Sequence, residues 1–401
     1  MTLLDCLHAH RDEGFFSSLS AIHVNHGLNP KAGAWAQQCK AFCTERTIVF
    51  TEVKVRVPVS GGKGMEAAAR TVRYEALNGL GSDWILLAHH LDDQAETLLL
   101  NLLRGSGVVG LAGMQEANGR YLRPMLQLSR RDILNYAAIS GLAWIEDDSN
   151  SNEQIRRNFL RHSIMPVLAR HFPAAPECLA RTARHMQDAD DLLAQLAQID
   201  HDFDTPLKIT KLKALPESRG INLLACMLRD KGEQLPGAAR LREIYRQCLV
   251  ARPDRYPRLE CGGWVLTRFR DEIRLVRQVQ HTPAKECLSW EGQAELEWRQ
   301  GCIRIQPTLG IGLPRKLLSV GNVTFQARSG GERFRLHPGS PRRSLKDLFR
   351  EAGIPPWQRQ SLPLLYCAKD LVWVGGLGTS ADWVAGPGEP GYKIEFDEAS
   401  W

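Results

Sequence analysis

Residues 84–107 decide how this chain reads: Trp84-Ile85-Leu86-Leu87-Ala88-His89-His90-Leu91-Asp92-Asp93-Gln94-Ala95-Glu96-Thr97, running on to Arg104-Gly105-Ser106-Gly107. The stretch opens on an apolar run the length of a buried parallel strand. Two histidines and two aspartates follow, and Leu98, Leu99, Leu102 and Leu103 then recur with helical spacing. The polar cluster therefore falls where a strand hands over to a helix, and in open α/β sheets ligands bind at that carboxyl end. Asp93 and Glu96, three apart, share one face of the first helical turn, with His89 and His90 arriving from the strand end. Acids in a first turn also serve simply to cap a helix and complement its dipole. A His-His-x-Asp-Asp run invites a metal reading as well, but its spacing matches no zinc pattern.

A chain of 401 residues predicts two or three domains, each able to bury a core. With 43% hydrophobic and 24% charged residues it reads as a globular protein rather than a disordered one. No apolar run is long enough to span a membrane, and Met1-Thr2-Leu3-Leu4-Asp5 lacks the basic start of a signal peptide, so a cytoplasmic protein without a membrane partner is expected. The 10 cysteines include Cys39 and Cys43 as CxxxC but no CxxC, which predicts free thiols in a reducing compartment and excludes a zinc ribbon. A net charge of +6 permits a polyanionic partner without demanding one.

Upstream of the central stretch, residues 1–13 predict a helix, Leu19–Val24 a strand, Trp35–Cys43 a helix and Thr47–Val59 a β-branched strand. The turn Ser60-Gly61-Gly62-Lys63-Gly64 misses the Walker spacing and reads as a connector. The helix after it, Met65–Leu77, puts Arg70 and Arg73 on one face: a solvated surface, or the forked donors of a phosphate clamp. Downstream, Gly105 and Gly107 beside Arg104 suit close backbone approach to an anion, and Ser129 with Asp132 makes a capping box. Trp144–Asn150 reads as strand into turn, and Arg156, Arg157 and Arg161 give the next helix a basic face. This alternation predicts an α/β domain over 1–202 with a doubly wound, mostly parallel sheet. Residues 203–277 read as a small mixed α/β domain, 278–293 as a polar linker, and 298–401 as a β-rich domain. That last domain concentrates Arg328, Arg333, Arg335, His337, Arg342, Arg343, Lys346 and Arg350 with few compensating acids, which favours a nucleic-acid surface over a merely solubilising one.

Taken in order, these motifs resemble the tRNA(Ile)-lysidine synthase family of the PP-loop ATP pyrophosphatases. The matching pieces are His23-Val24-Asn25-His26-Gly27-Leu28, Glu66-Ala67-Ala68-Ala69-Arg70 with Arg73-Tyr74, and Ala88 to Thr97. They continue with Arg104 to Gly107, Asp147 with Ser149-Asn150, and Arg157-Asn158 with Arg161. In the last domain Gly330-Gly331-Glu332-Arg333-Phe334, Leu345-Lys346 and Gly353-Ile354-Pro355-Pro356-Trp357 resemble the longer members.

The resemblance implies a ligase that uses ATP to adenylate the wobble cytidine of an isoleucine tRNA with a CAU anticodon. The side-chain amine of free L-lysine then displaces AMP. Arg70, Arg73 and Arg104 are expected to stabilise charge on the phosphates, with Mg2+ bridging ATP oxygens. Lysine arrives charged, its amine having a pKa of about 10.4 in water. Asp93 and Glu96 are expected to hold it, and His89 or a carboxylate to take its proton. Asp147 is a second contact for lysine or the base, and Arg157 and Arg161 are expected to hold nucleotide or tRNA phosphate. Arg333, Arg335, Arg342, Arg343 and Lys346 are expected to meet the tRNA; a homodimer is compatible with this reading.

One family motif has no counterpart here. The SGGxDS loop should precede the first helix, where its amides cradle pyrophosphate. Met1-Thr2-Leu3-Leu4 looks instead like the helix after that loop, and the Ser60-Gly61-Gly62 triplet lacks the Asp-Ser. The expectation is that the first strand and loop are missing, most simply because translation is assigned from an internal methionine. Unpaired sheet backbone, poor folding and little ligase activity would follow. The rivals are a non-catalytic tRNA-binding remnant and a PP-loop tRNA thiolase, the latter disfavoured by the lack of CxxC.

Overall fold

A computed structural model of the protein describes residues 1–27, 29–58, 65–145, 147–232, 235–250, 258–261, 263–277, 287–299 and 301–398. The chain divides into two units, Met1–Leu196 and Ala197–Trp401.

Parallel pairing organises the first unit. Helix α1 (Thr2–Ala9) leads to strand β1 (Ser20–Asn25), helix α2 (Ala32–Glu45) and strand β2 (Val49–Lys54). β1 and β2 run parallel in register from Ser20↔Val49 to Asn25↔Lys54, with α2 as the crossover. Helix α3 (Met65–Asn78) precedes β3 (Ile85–Leu86), α4 (Leu91–Leu103) and α5 (Val108–Leu111). Strands β4 (Ala117–Asn118) and β5 (Tyr121–Leu122) then form a hairpin, and β5 runs parallel to β3. Among the described strands β1 pairs only with β2, and β3 only with β5. Helix α6 (Arg130–Ile139) opens on the expected capping box: Ser129 Oγ accepts from the Asp132 amide at 3.2 Å and Asp132 Oδ2 from the Ser129 amide at 3.1 Å. Helix α7 (Arg156–Phe159), a π-helical turn (Leu160–Ile164) and α8 (Met165–His171) follow without a break, and α9 (Ala175–Asp200) comes next.

The structure corrects several local expectations. The first helix stops at Ala9, and a 3-10 turn at Arg11–Glu13 ends on Gly14 at φ 77°. Residues 142–145 form no strand, and Trp144 is half exposed; an apolar run without a pairing neighbour has no reason to extend. Leu98 is buried, but Leu102 and Leu103 are 53% and 71% exposed, so helical spacing alone overstated the buried stripe of α4. The β4–β5 hairpin interrupts the parallel alternation. The Ser60–Gly64 turn lies outside the described residues.

The second unit begins as a helical layer on an antiparallel sheet. Strand β6 (Leu207–Lys208) and helices α10 (Ile209–Ala214), α11 (Glu217–Asp230) and α12 (Ala238–Val250) pack on β7 (Arg258–Cys261), β8 (Trp264–Phe269) and β9 (Glu272–Arg277), in the order β6-β9-β8-β7. Leu223, Leu224, Leu228, Ile244 and Leu266 form its core. Residues 278–286 of the expected linker lie outside the described residues, but Cys287–Ser289 is a strand, β10. The rest is largely β, as its alternating burial demands: β11 (Glu295–Trp298), β12 (Gly301–Leu309), β13 (Leu313–Pro314), β14 (Val323–Gln326), β15 (Arg333–Phe334), β16 (Arg343–Ser344), β17 (Leu364–Cys367), β18 (Asp370–Val374), β19 (Gly378–Thr379) and β20 (Pro390–Glu398). Among the described residues helices α13 (Leu317–Val320) and α14 (Leu345–Glu351) and a 3-10 turn (Ala381–Trp383) interrupt it. The sheets β10-β14-β17-β18-β19 and β11-β12-β20-β13 share a core of Trp290, Ile303, Phe325, Trp373 and Ile394.

Among the described residues, no helix is long and apolar enough to cross a membrane.

Candidate active site

The first turn of α4 sits directly after β3, as the strand-to-helix reading requires. Asp93 does cap that helix: its Oδ2 accepts from the His90 amide at 3.1 Å. It also does more. Its Oδ1 accepts from Arg157 at 3.1 Å and from Arg161 at 3.0 Å. Glu96, one turn on, accepts from Arg157 Nε at 2.9 Å and from Arg161 at 2.6 and 2.8 Å. Two carboxylates and two guanidiniums thus form a closed, charge-balanced cluster. Glu96 exposes only 3% of its side chain and Asp93 13%. Arg157 comes from α7 and Arg161 from the π turn after it, a local widening often found at functional positions. The sequence reading assigned the acids to lysine and the arginines to phosphate; the structure pairs the two sets with each other.

Asp92 faces the other way. Its Oδ2 accepts from the Arg130 amide at 2.8 Å, tying the start of α4 to the start of α6. His90 beside it, with that amide bond, holds the Asp92 carboxyl below its ordinary range. His89 lies among Asp93, Arg123, Arg157 and Arg70; burial outweighs the Asp93 charge and drives its pKa down to about 4. It is therefore neutral at pH 7.

A cavity of about 1180 Å³ opens between the two small sheets. Ile22 and Val24 of β1 and Ile85 and Leu87 at β3 give it an apolar floor. Its polar wall holds Asn25, His26 and Asn29 from the end of β1, Arg73 of α3, Arg104 after α4, and Asp147, Arg156 and Arg157. Asn29 Nδ2 reaches Asp147 Oδ1 at 3.5 Å, and Lys31 Nζ pairs with the neighbouring Asp148 at 2.6 Å. Burial, ahead of the nearby arginine charge, lowers the pKa of His26 below the usual imidazole value; burial is also the main cause for His23, against the opposing charge of Glu52.

Of the residues singled out from sequence, Arg73, Arg104, Asp147 and Arg157 meet on this cavity. Asp93, Glu96 and Arg161 form the ion-pair cluster behind Arg157, and His89 adjoins it. Arg70 turns onto Tyr74 instead, its guanidinium 5.1 Å from the ring centre. Asn25 and His26 belong to a quoted motif but had no part assigned, and Asn29, just beyond it, was not singled out. They sit at a strand's carboxyl end, the rule that found His89, and that rule applied to β1 would have found them.

The basic run of the last domain is more compensated than its composition indicated. Arg335 and Arg342 converge on Asp382 at 2.7 and 3.1 Å, and Arg343 makes a forked pair with Glu351 at 2.8 and 2.5 Å. Arg328 binds Glu332 at 3.2 Å, while Arg333 donates to the Arg342 carbonyl at 2.8 Å. Of the acids that do this, Asp382 is remote in sequence, whereas Glu332 and Glu351 lie in or beside the run itself.

The fold of the first unit is that of a PP-loop domain: the PP-loop domain model matches residues 1–168. The TilS substrate binding domain model matches 207–274 and the TilS substrate C-terminal domain model 323–396. A tRNA(Ile)-lysidine synthase of Azoarcus sp. is 39% identical over 96% of this chain and 87% of its own length. That of Aromatoleum aromaticum is 38% identical over 95% and 90%, and that of Nitrosomonas europaea 35% over 94% and 85%. The chain belongs to the tRNA(Ile)-lysidine synthase family.

Proposed function

We propose that this chain attaches L-lysine to the wobble cytidine of an isoleucine tRNA with a CAU anticodon, using ATP and releasing pyrophosphate and then AMP. The carrying observation is a 39% identity to a synthase of that name over 96% of this chain, with Arg73, Arg104 and Arg157 gathered on one strand-end cavity. A cytosine oxygen is a poor leaving group, and adenylation makes it a good one. As pyrophosphate departs, charge grows on the phosphates, and fixed guanidiniums stabilise it without reorganising. Arg73 and Arg104 take that part. Asp93 and Glu96 hold Arg157 and Arg161 in place. The proton that lysine must lose before attack goes to His89 or to a carboxylate.

Magnesium enters as the companion of ATP. Among the described residues no group of three or more acids, histidines or cysteines is placed to hold a resident ion. An ion carried on the phosphates needs few protein ligands. Residues 1–202 carry the chemistry in this reading. Residues 203–277 and 298–401 carry the tRNA, with Arg333, Arg335, Arg342, Arg343 and Lys346 on its phosphates.

The test is incubation of the full chain with ATP, labelled lysine and tRNA transcripts bearing CAU or GAU anticodons. Label entering only the CAU transcript, with one AMP per lysine, supports the reading. Pyrophosphate release without lysine transfer, or transfer to both transcripts, would sink it.

A further inference from the structure

Between Glu153 and Asp188 the chain carries six arginines and one acid, Glu177, a net +5 within a chain whose formal charge is +6. Two of the six are neutralised, since Arg157 and Arg161 close the ion-pair cluster with Asp93 and Glu96. The other four, Arg156, Arg170, Arg181 and Arg184, are exposed and make no ion pair among the described residues. Arg181 donates to Cys178 Sγ at 3.3 Å, which leaves its charge unmatched.

These four follow one continuous path within the first unit. Arg156 is an exposed residue on the cavity wall at the start of α7. From there α7, the π turn and α8 carry the chain roughly 20–25 Å to His171. α9 begins at Ala175, whose amide donates to the Phe172 carbonyl at 2.8 Å. Arg181 and Arg184, three apart, share a face of its second and third turns. Along the same path Phe159 and Phe172 are 43% and 66% exposed. The basic run of the last domain differs: Arg328, Arg335, Arg342 and Arg343 each meet an acid. Unmatched cations attract a polyanion most strongly and release counterions when they touch it. Exposed aromatic rings among them suit the unpaired bases of a loop, which stack on such faces.

We infer that the ridge from Arg156 to Arg184 holds phosphates of the tRNA loop that flank the base entering the cavity. This rests on the ligase reading above and adds to it a tRNA contact in the unit that carries the chemistry. A base reaches the cavity only if its backbone passes the wall where Arg156 stands, and the ridge continues outward from that residue.

The experiment is filter binding of transcripts bearing CAU or GAU anticodons to the full chain across salt concentrations, without ATP or lysine. Wild type is compared with the triple variant Arg170→Gln, Arg181→Gln, Arg184→Gln. The control triple, Arg11→Gln, Arg56→Gln, Arg131→Gln, removes the same charge from exposed positions elsewhere in the first unit. The ridge variant should bind at least about tenfold more weakly at about 0.1 M salt, with a salt slope lower by about two. The loss should be equal for both transcripts, because phosphate contacts carry no sequence. The control should stay within about threefold of wild type. Equal losses in the two triples, an unchanged slope in the ridge variant, a loss confined to one transcript, or no binding by wild type each overturns the assignment. Lysine transfer by wild type reports the ligase reading separately, so the two failures are distinguishable.

Discussion

Arg161 donates from Nε to Glu96 Oε1 at 2.6 Å and from a terminal nitrogen to Asp93 Oδ1 at 3.0 Å, so one guanidinium bridges both acids of the first turn of α4. The bridge crosses from α4 to the π turn after α7 and fixes where Arg157 enters the cavity. Removing one partner of a buried pair leaves a charge unmatched, at a cost of about 3–5 kcal/mol. Glu96→Gln should therefore lower the thermal midpoint of the first unit by roughly 6–20 °C. Adding Arg161→Gln should recover part of that loss. A midpoint within about 2 °C of wild type in calorimetry would show the cluster to be energetically idle.

His89 makes the first unit sensitive to mild acid. Its folded-state pKa of about 4 lies below the ordinary 6.5, so the unfolded chain takes up a proton that the fold refuses. Stability from this group is complete above about pH 6.5 and is lost as pH falls through about 4, roughly 3 kcal/mol in all. Asp92, whose folded pKa lies below its ordinary 3.8, loses its contribution only at still lower pH. Denaturant titrations of His89→Gln should be flatter than wild type between pH 6.5 and 4. Equal slopes would show that His89 charges without penalty.

Gly113 packs where no side chain fits. Its φ is 63°, and a Cβ there would lie 2.7 Å from Gln94 Oε1, whose amide grips the Met114 amide at 2.8 Å and carbonyl at 2.9 Å. Gly113→Ala should cost about 2–3 kcal/mol, combining left-handed backbone strain with a displaced Gln94. Gly141 has φ 62° but open space around it, so Gly141→Ala should cost only about 1 kcal/mol. Equal costs would show that the clash with Gln94 relaxes freely.

Arg73→Ala and Arg104→Ala should each lower pyrophosphate release by about a hundredfold or more at saturating tRNA. Rates within about threefold of wild type would remove the arginine from the phosphates.

Asp382 pairs with Arg335 and Arg342 and offsets part of their attraction for tRNA phosphate. Asp382→Asn frees both. In filter binding across salt concentrations, tRNA affinity should rise and the dependence on salt steepen by about one released counterion. An unchanged slope would place this surface outside the tRNA contact.

Local features were legible in the order of residues alone. The apolar run at Trp84–Ala88 followed by His89–Glu96 announced a strand end and a helix start, because both are written in adjacent residues. Ser129 and Asp132 announced their capping box for the same reason. The family motifs, in their order, pointed to the chemistry. Pairing between remote residues emerged only from the fold. Arg157 and Arg161 lie more than 60 positions from the acids they neutralise, and Asp382 lies 40 or more from its arginines. Charge balance, desolvation and the lining of a cavity are sums over neighbours in space. A chain read in order lists those neighbours without saying which of them meet.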